Sequence, residues 1–171
     1  MIFVYIFASL VVLLLLIAFI LPSSYTVEKN TIIKKPTAEV MKRIGNLNEY
    51  ASWNPWAQME PGATKTITGT PGQPGHKYEW LGKKIGMGNL TLLSIDDKHI
   101  NFDLQFVKPW KTLAKDNWLF ENWGNDETKV TWQNSGPLPW PMARLMGPLI
   151  SKNLNHQFVT GLENLKKLCE G

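Results

Sequence analysis

The sequence predicts an α+β domain in which a curved, seven-stranded antiparallel sheet wraps around a long C-terminal helix, preceded by one apolar helix. Three observations support this fold class. Residues 2–21 carry no charge. Residues 64–134 contain six segments of alternating apolar and polar side chains, as in strands with one buried face. Apolar residues recur at helical spacing near the C-terminus, at Leu154, Phe158, Leu162 and Leu165. A sheet and a helix of this kind bury their apolar faces against each other.

The first segment has the length of a membrane span, because Ile2 to Leu21 as a helix measures about 30 Å. A cleaved signal peptide is the competing interpretation, but no Lys or Arg precedes the segment and its exit, residues 20–24, lacks a small-residue cleavage motif. A buried core helix is the third, yet Val11–Leu16 is apolar on every face. We therefore expect residues 1–21 to form a retained transmembrane anchor and residues 22–171 to form one domain.

The charges around this segment predict its orientation. Lys29, Lys34 and Lys35 follow it, whereas only the α-amino group precedes it. The positive-inside bias then places the domain on the cytoplasmic side of the membrane. The single cysteine, Cys169, excludes an internal disulfide and agrees with a reducing compartment.

The domain begins with a predicted strand, Tyr25–Lys35, rich in Thr, Val and Ile. A short helix over Ala38–Ile44 should follow, with Thr37 as its N-cap and Gly45 as its stop, and Asn46–Tyr50 could add one more turn. The period then changes to two. Strands are predicted at Thr64–Thr70, His76–Gly82, Gly88–Asp96, His99–Val107, Thr112–Trp123 and Asp126–Asn134.

The C-terminal region contains two prolines that suit first helical turns, Pro141 and Pro148. They predict a short helix near Met142–Met146 and a separate long helix from Pro148 to Leu168. The long helix carries the apolar stripe that should close the sheet.

Several classes of function are excluded by composition. One cysteine and the dispersed histidines His76, His99 and His156 offer no metal-ligand spacing. The net charge of +4 comes from scattered Lys and Arg rather than from a basic stripe, so nucleic acid is not an expected partner. We expect neither a metal nor a cofactor.

Five short motifs occur in order along the chain. They are Ser52-Trp53-Asn54-Pro55-Trp56; Gly69, Gly72 and Gly75; Trp80-Leu81-Gly82 with Gly86-Met87-Gly88; Val130-Thr131-Trp132; and Phe158-x-x-Gly161-Leu162-x-x-Leu165-Lys166. Over Ser24–Glu170 the chain resembles the SRPBCC superfamily (START-like; polyketide cyclase/dehydrase and lipid transport), especially its bacterial branch with an N-terminal membrane segment. The resemblance implies the helix-grip fold and a single-pass protein of the bacterial inner membrane. It does not settle function, because the superfamily includes lipid carriers, hormone binders, cyclases, oxygenase domains and co-chaperone modulators.

The aromatic residues suggest a ligand. All eight tryptophans lie between Trp53 and Trp140, and aromatic side chains repeat at i, i+2 along the predicted strands. We expect an aromatic-lined cavity that binds a hydrophobic small molecule or lipid; the alternative is a solid tryptophan-rich core. The expected lining residues are Trp53, Trp56, Tyr78, Trp80, Phe102, Leu104, Phe106, Trp118, Phe120, Trp132, Met146, Leu149 and Phe158.

One residue is a weak catalytic candidate. Asp116 shares strand parity with Trp118 and should point inward, where burial would raise its pKa; an edge position or a pairing with a lysine is the alternative. The three histidines should be exposed. No catalytic constellation is apparent, so a non-enzymatic binding domain is the leading hypothesis. A polyketide cyclase/dehydrase-like enzyme and a protein-interaction module that regulates a partner are the alternatives.

Overall fold

The computed structural model describes residues 1–108 and 111–171. One helix, α1, precedes a domain of seven strands and four further helices. In chain order the elements are α1 (Ile2–Ile20), β1 (Ser24–Ile33), α2 (Thr37–Gly45), α3 (Tyr50–Trp53), α4 (Pro55–Met59), β2 (Thr64–Thr68), β3 (Lys77–Leu81), β4 (Met87–Ile95), β5 (His99–Lys108), β6 (Thr112–Gly124), β7 (Glu127–Pro137) and α5 (Met142–Glu170).

The seven strands form one antiparallel sheet in the order β1-β7-β6-β5-β4-β3-β2. The chain therefore runs back and forth through neighbouring strands from β2 to β7. The first strand then pairs with the last, with Ser24 opposite Pro137. The predicted fold class, a seven-stranded antiparallel sheet with a long C-terminal helix, is confirmed.

Helix α5 packs against the sheet through the predicted stripe. Phe158, Leu162 and Leu165 are buried, and Leu154 packs against the same core. Gly161 allows a close approach, because a Cβ atom there would lie 2.8 Å from a ring carbon of Trp132. The helix and the sheet thus share one apolar core, as expected when each has one apolar face.

The prediction of two C-terminal helices is wrong. A single helix, α5, runs through Pro148, which is exposed. A proline removes one helical hydrogen bond, but it does not end the helix here because the segments on both sides of it pack on the domain. Gly147 is buried against Leu138 on one side, and Leu154 contacts the core on the other.

The connection between β1 and β2 also differs from its prediction. Thr37 is the first residue of α2 rather than its N-cap, and its hydroxyl lies 3.1 Å from that of Thr128. Residues 46–50 form a turn, in which the Glu49 N–H donates to the Asn46 carbonyl (2.9 Å), and two short helices, α3 and α4, follow it. The side chain of Asn54 accepts a hydrogen bond from the Ala57 N–H (3.2 Å) and so caps α4, with Pro55 as its first residue.

Helix α1 is long enough and apolar enough to cross a membrane, and it is almost wholly exposed. Only Ala18 is buried among its residues, near the start of α5. There the Arg144 guanidinium donates to the carbonyls of Ala18 (3.5 Å) and Phe19 (3.4 Å). The Leu138 N–H donates to the Ser23 carbonyl (2.7 Å). These contacts join the end of α1 to one edge of the sheet.

We call this edge, where β1, β2, β4 and β6 begin and β3, β5 and β7 end, the α1-side edge. Lys34 and Lys35 follow the opposite end of β1. A strand of ten residues spans about 33 Å. Lys34 and Lys35 therefore lie far from α1 although they follow it closely in sequence. The exposed lysines at the α1-side edge include Lys83, Lys84, Lys108 and Lys111.

Candidate ligand-binding cavity

A cavity of about 110 Å³ lies between the sheet and the helices α3, α4 and α5. This volume would hold several water molecules or a ring-sized group. Eight of its fifteen lining residues are aromatic. The lining residues are Tyr25, Tyr50, Asn54, Trp56, Ala57, Tyr78, Trp80, Ile85, Leu104, Phe106, Asp116, Trp132, Asn134, Leu154 and Phe158.

Strand alternation places most of these side chains. On β3, Tyr78 and Trp80 are two positions apart, as are Leu104 and Phe106 on β5. Each pair therefore points to the same face of the sheet. Gly88 lies opposite Trp80 on β4, and a Cβ atom at Gly88 would collide with the indole of Trp80. This glycine therefore leaves room for the indole, whose Nε1–H donates to the Ile85 carbonyl (3.2 Å).

The structure places seven of the thirteen expected lining residues on the cavity. They are Trp56, Tyr78, Trp80, Leu104, Phe106, Trp132 and Phe158. That any of them contacts a ligand stays a prediction.

The other six expected residues do not line the cavity. Four of them, Trp53, Phe102, Trp118 and Phe120, are fully buried in the solid part of the core. Leu149 is 64% exposed. It lies nine positions before Phe158, which is two and a half helical turns, so the two side chains are on opposite faces of α5. Met146 is half-buried on the flank of that helix. The concave face therefore has a packed part and a hollow part, which strand parity alone does not distinguish.

Several lining residues were not predicted. Two of them follow from strand parity: Tyr25 is two residues before the buried Val27, and Asn134 is two residues after Trp132. The others lie on α3, α4, α5 and the β3–β4 turn, and they come to the cavity through tertiary packing. They are Tyr50, Asn54, Ala57, Ile85 and Leu154.

Asp116 is the one charged side chain on the cavity wall in the described part of the chain, and it is 4% exposed. It points inward, as its parity predicts; the alternatives of an edge position or a lysine partner are wrong. Oδ1 accepts hydrogen bonds from Trp132 Nε1 (2.9 Å) and Asn134 Nδ2 (3.1 Å), and Oδ2 accepts one from Trp118 Nε1 (3.2 Å). Asn134 Oδ1 in turn accepts from the Tyr25 hydroxyl (2.8 Å).

Burial controls the ionisation of this group. It raises the pKa of Asp116 to about 6, against the hydrogen bonds from Trp132, Asn134 and Trp118, which favour the carboxylate. Burial, with the nearby Asp116 charge, raises the pKa of Tyr25 to about 12 and that of Tyr50 well above its usual value. The cavity therefore presents neutral phenols and a carboxyl group that titrates close to neutral pH.

Two cavity residues carry a buried polar atom without a hydrogen-bond partner in the described residues, namely Asn54 Nδ2 and the Tyr78 hydroxyl. The orientation of the Asn54 amide follows from its cap, because Oδ1 must face the Ala57 N–H. A ligand with a hydrogen-bond acceptor would suit these donors.

The expectation that His76 is exposed is wrong, since it is fully buried. Its Nε2 accepts from the Leu47 N–H (3.0 Å), and its Nδ1 lies 2.9 Å from the Thr68 carbonyl, which only a protonated nitrogen can bond. The ring joins the α2–α3 connection to the β2–β3 loop and does not reach the cavity. His99 and His156 are exposed, as predicted. Over residues 1–108 and 111–171, no group of three or more His, Cys, Asp or Glu residues could hold a metal ion.

The sheet and helix together define the helix-grip fold. No family model matches the chain, and no curated protein sequence matches it.

Solved structures do match it. A Chromobacterium violaceum protein shares 15% identity, with a TM-score of 0.62 over 85% of this chain and 97% of that one. The Aha1 dimer of Colwellia psychrerythraea shares 14% identity, with a TM-score of 0.60 over 85% and 96%. Norcoclaurine synthase of Thalictrum flavum, in complex with dopamine and hydroxybenzaldehyde, shares 11% identity, with a TM-score of 0.63 over 89% and 90%. At these identities the likeness concerns the fold alone.

Proposed function

We propose that this protein is a membrane-tethered, non-enzymatic binding domain for a hydrophobic small molecule or lipid. The observation that carries the proposal is the aromatic-lined cavity between the sheet and α5. A domain that only needed a core would fill this space with side chains, because protein interiors are close-packed. Apolar walls with a few polar groups are typical of small-molecule sites.

The α1-side edge supports the membrane part of the proposal. At least four exposed lysines lie there, as described above. Beside Lys83 and Lys84, the Glu60 carboxylate accepts hydrogen bonds from the backbone N–H groups of Lys83, Lys84 and Ile85 (2.8, 2.8 and 3.1 Å). These bonds hold the pKa of Glu60 below its usual value. The edge thus carries positive charge, and the chain also has an apolar helix. A positively charged surface that follows an apolar span is the pattern expected at an anionic, cytoplasmic leaflet.

The cavity lies toward this same edge. Trp80 and Phe106 come near the ends of β3 and β5, and Ile85 belongs to the β3–β4 turn. With residues 1–21 as a retained anchor in a bacterial inner membrane, the cavity would face the cytoplasmic leaflet. A lipid or another membrane-dissolved molecule would then reach it over a short path.

Ligand capture by the full chain tests the proposal. After purification in phosphatidylcholine nanodiscs, native mass spectrometry should show an apolar molecule on the wild-type protein. Leu104→Trp, which fills the cavity, should abolish this adduct. The matched control Leu93→Trp, at a position 49% exposed, should keep it. A wild-type protein without an adduct, or an adduct that survives Leu104→Trp, would contradict the proposal.

One observation favours an enzyme as the second candidate. Asp116 lies on the cavity wall within hydrogen-bonding distance of Asn134, and a carboxyl group with a pKa of about 6 suits proton transfer near neutral pH. The fold of norcoclaurine synthase, solved with dopamine and hydroxybenzaldehyde, is consistent with chemistry on such a scaffold. Turnover of a bound ligand by wild-type protein and its loss in Asp116→Asn, with binding retained, would establish this alternative.

A further inference from the structure

The cavity has an unusual electrostatic character. Its wall is mostly aromatic, yet it includes one carboxyl group, that of Asp116. Among residues 1–108 and 111–171, no Lys, Arg or His lies on this wall. A buried carboxylate without a cationic partner is costly. The carboxylate of Asp116 therefore lies on this wall without a counter-charge from the described residues.

The hydrogen bonds to Asp116 favour its charged form rather than its neutral form. Two indole N–H groups and one amide donate to it, and all three are donors only at those atoms. An ionised carboxylate accepts about four hydrogen bonds. Oδ1 accepts two and Oδ2 one, so Oδ2 has an unused acceptor position.

The other titratable groups on the wall do not neutralise this charge. They are phenols: Tyr25 on β1, Tyr50 on α3 and Tyr78 on β3. The pKa of each is raised, chiefly by burial, so all three stay uncharged at neutral pH. The lining residues of α5, Leu154 and Phe158, are apolar.

Aromatic rings strengthen the preference for a cation. The faces of Trp, Tyr and Phe rings carry partial negative charge and attract ammonium groups. Trp80 is on the wall, with Tyr50 and Tyr78 in contact with each other at 5.0 Å between ring centroids. A carboxylate among such rings attracts a cation and repels an anion.

Resting on the proposed binding function, we propose that the ligand of this cavity is an apolar molecule with a protonated amine, and that its ammonium group lies against Asp116. The ammonium group supplies the missing counter-charge and donates to Oδ2. The aromatic wall encloses the apolar part of the molecule. Fatty acids and other apolar carboxylates are disfavoured, because they would bring a second negative charge beside the first.

A matched set of three probes tests the charge preference: 4-phenylbutylamine, 4-phenylbutan-1-ol and 4-phenylbutanoate. The full chain in phosphatidylcholine nanodiscs is titrated at pH 7.5, with tryptophan fluorescence as the signal and empty nanodiscs as the blank. We expect the amine to bind tighter than the alcohol by roughly tenfold or more, and the carboxylate to bind weakest. Equal or tighter binding of the alcohol would overturn the amine preference alone. Binding by none of the three would overturn the binding function as well.

Two further measurements assign the preference to Asp116. In Asp116→Asn the alcohol should bind as in the wild type, while the advantage of the amine disappears. The control Asp103→Asn makes the same charge change at a β5 residue that does not line the cavity and should keep the advantage. In the wild type the advantage should also shrink from pH 7.5 to pH 5, where the amine stays charged and Asp116 gains a proton. An amine advantage that persists in Asp116→Asn or at pH 5 would overturn the assignment.

Discussion

The ring of Phe158 on α5 stacks on the indole of Trp132 on β7, with 3.9 Å between the ring centroids and 8° between the planes. Trp132 stacks in turn on Trp118 of β6 at 4.6 Å and 15°. The helix is therefore joined to the centre of the sheet by three consecutive rings. Phe158 and Trp132 also line the cavity, so the same contact holds the helix and forms the wall.

Truncation of the Phe158 side chain should destabilise the domain. Phe158→Ala removes a fully buried side chain and should lower the free energy of unfolding by about 3–5 kcal/mol. Val159→Ala is the neighbouring control, at a side chain 44% exposed, and should change it by less than about 0.5 kcal/mol. Urea denaturation followed by circular dichroism measures both. Equal effects of the two substitutions would show that α5 does not depend on this stack.

The buried Asp116 should make stability depend on pH in an unusual direction. Its pKa is about 6 when folded, against 3.8 as its ordinary value, so the folded protein holds this proton more tightly than the unfolded chain. Protonation of Asp116 therefore contributes most to the free energy of unfolding below about pH 4. This contribution declines as the pH rises to about 6, by an amount on the order of 3 kcal/mol.

Asp116→Asn should remove this dependence. The free energy of unfolding of the wild type minus that of the variant should fall between pH 4 and pH 6.5 and become flat above it. The variant also leaves the Trp118 N–H facing an amide, a cost of about 1–3 kcal/mol that does not vary with pH. Chemical denaturation at several pH values measures the difference. A difference that rises with pH would mean that Asp116 is not destabilised by burial.

Residues 22–171 should fold without α1. Only Ala18 of that helix is buried, and the bonds from Arg144 reach two backbone carbonyls at its end. We expect the fragment to be soluble and to melt in one cooperative transition, measured by calorimetry. Aggregation, or a melt without a cooperative transition, would instead make α1 part of the fold and would withdraw the anchor.

The same fragment should bind anionic vesicles through the α1-side edge. Each lysine at such a surface contributes about 1 kcal/mol, so Lys83→Gln with Lys84→Gln should weaken binding roughly 30-fold. Lys34→Gln with Lys35→Gln makes the same charge change at the opposite edge and should have little effect. Sedimentation with phosphatidylserine vesicles, repeated at high salt to abolish binding, measures this. A larger loss of vesicle binding from Lys34→Gln with Lys35→Gln would mean that the opposite edge, rather than the α1-side edge, contacts the membrane.

The fold was largely predictable because its strands alternate strictly and its last helix carries a clear stripe. Inward parity also identified Asp116, since period two holds along an uninterrupted strand. The spacing of Leu149 from Phe158, nine positions, already indicates opposite faces of one helix, so its exposure follows from the sequence. The placement of Met146 does not, because a helix that begins at Pro148 leaves the phase of the preceding segment undefined. The buried His76 had no local signal, since its two partners lie 29 and 8 residues away in sequence.

The cavity itself was harder to predict than the fold. Strand parity shows which side chains face inward, but not whether the space between them is filled. Trp118 and Trp132 are neighbours with the same parity, yet only Trp132 lines the cavity. That distinction depends on how α3 and α4 pack against the sheet, and α4 depends on a single cap, Asn54.

The stacked pair Trp118 and Trp132 has an optical consequence. Two indoles at 4.6 Å share their electronic excitations, so the near-ultraviolet circular dichroism of the domain includes a signal from the pair rather than from two separate chromophores. One member borders the cavity and the other does not. An occupant would perturb the two transitions unequally and split or shift that signal. The protein thus contains its own unlabelled reporter of whether the cavity is full.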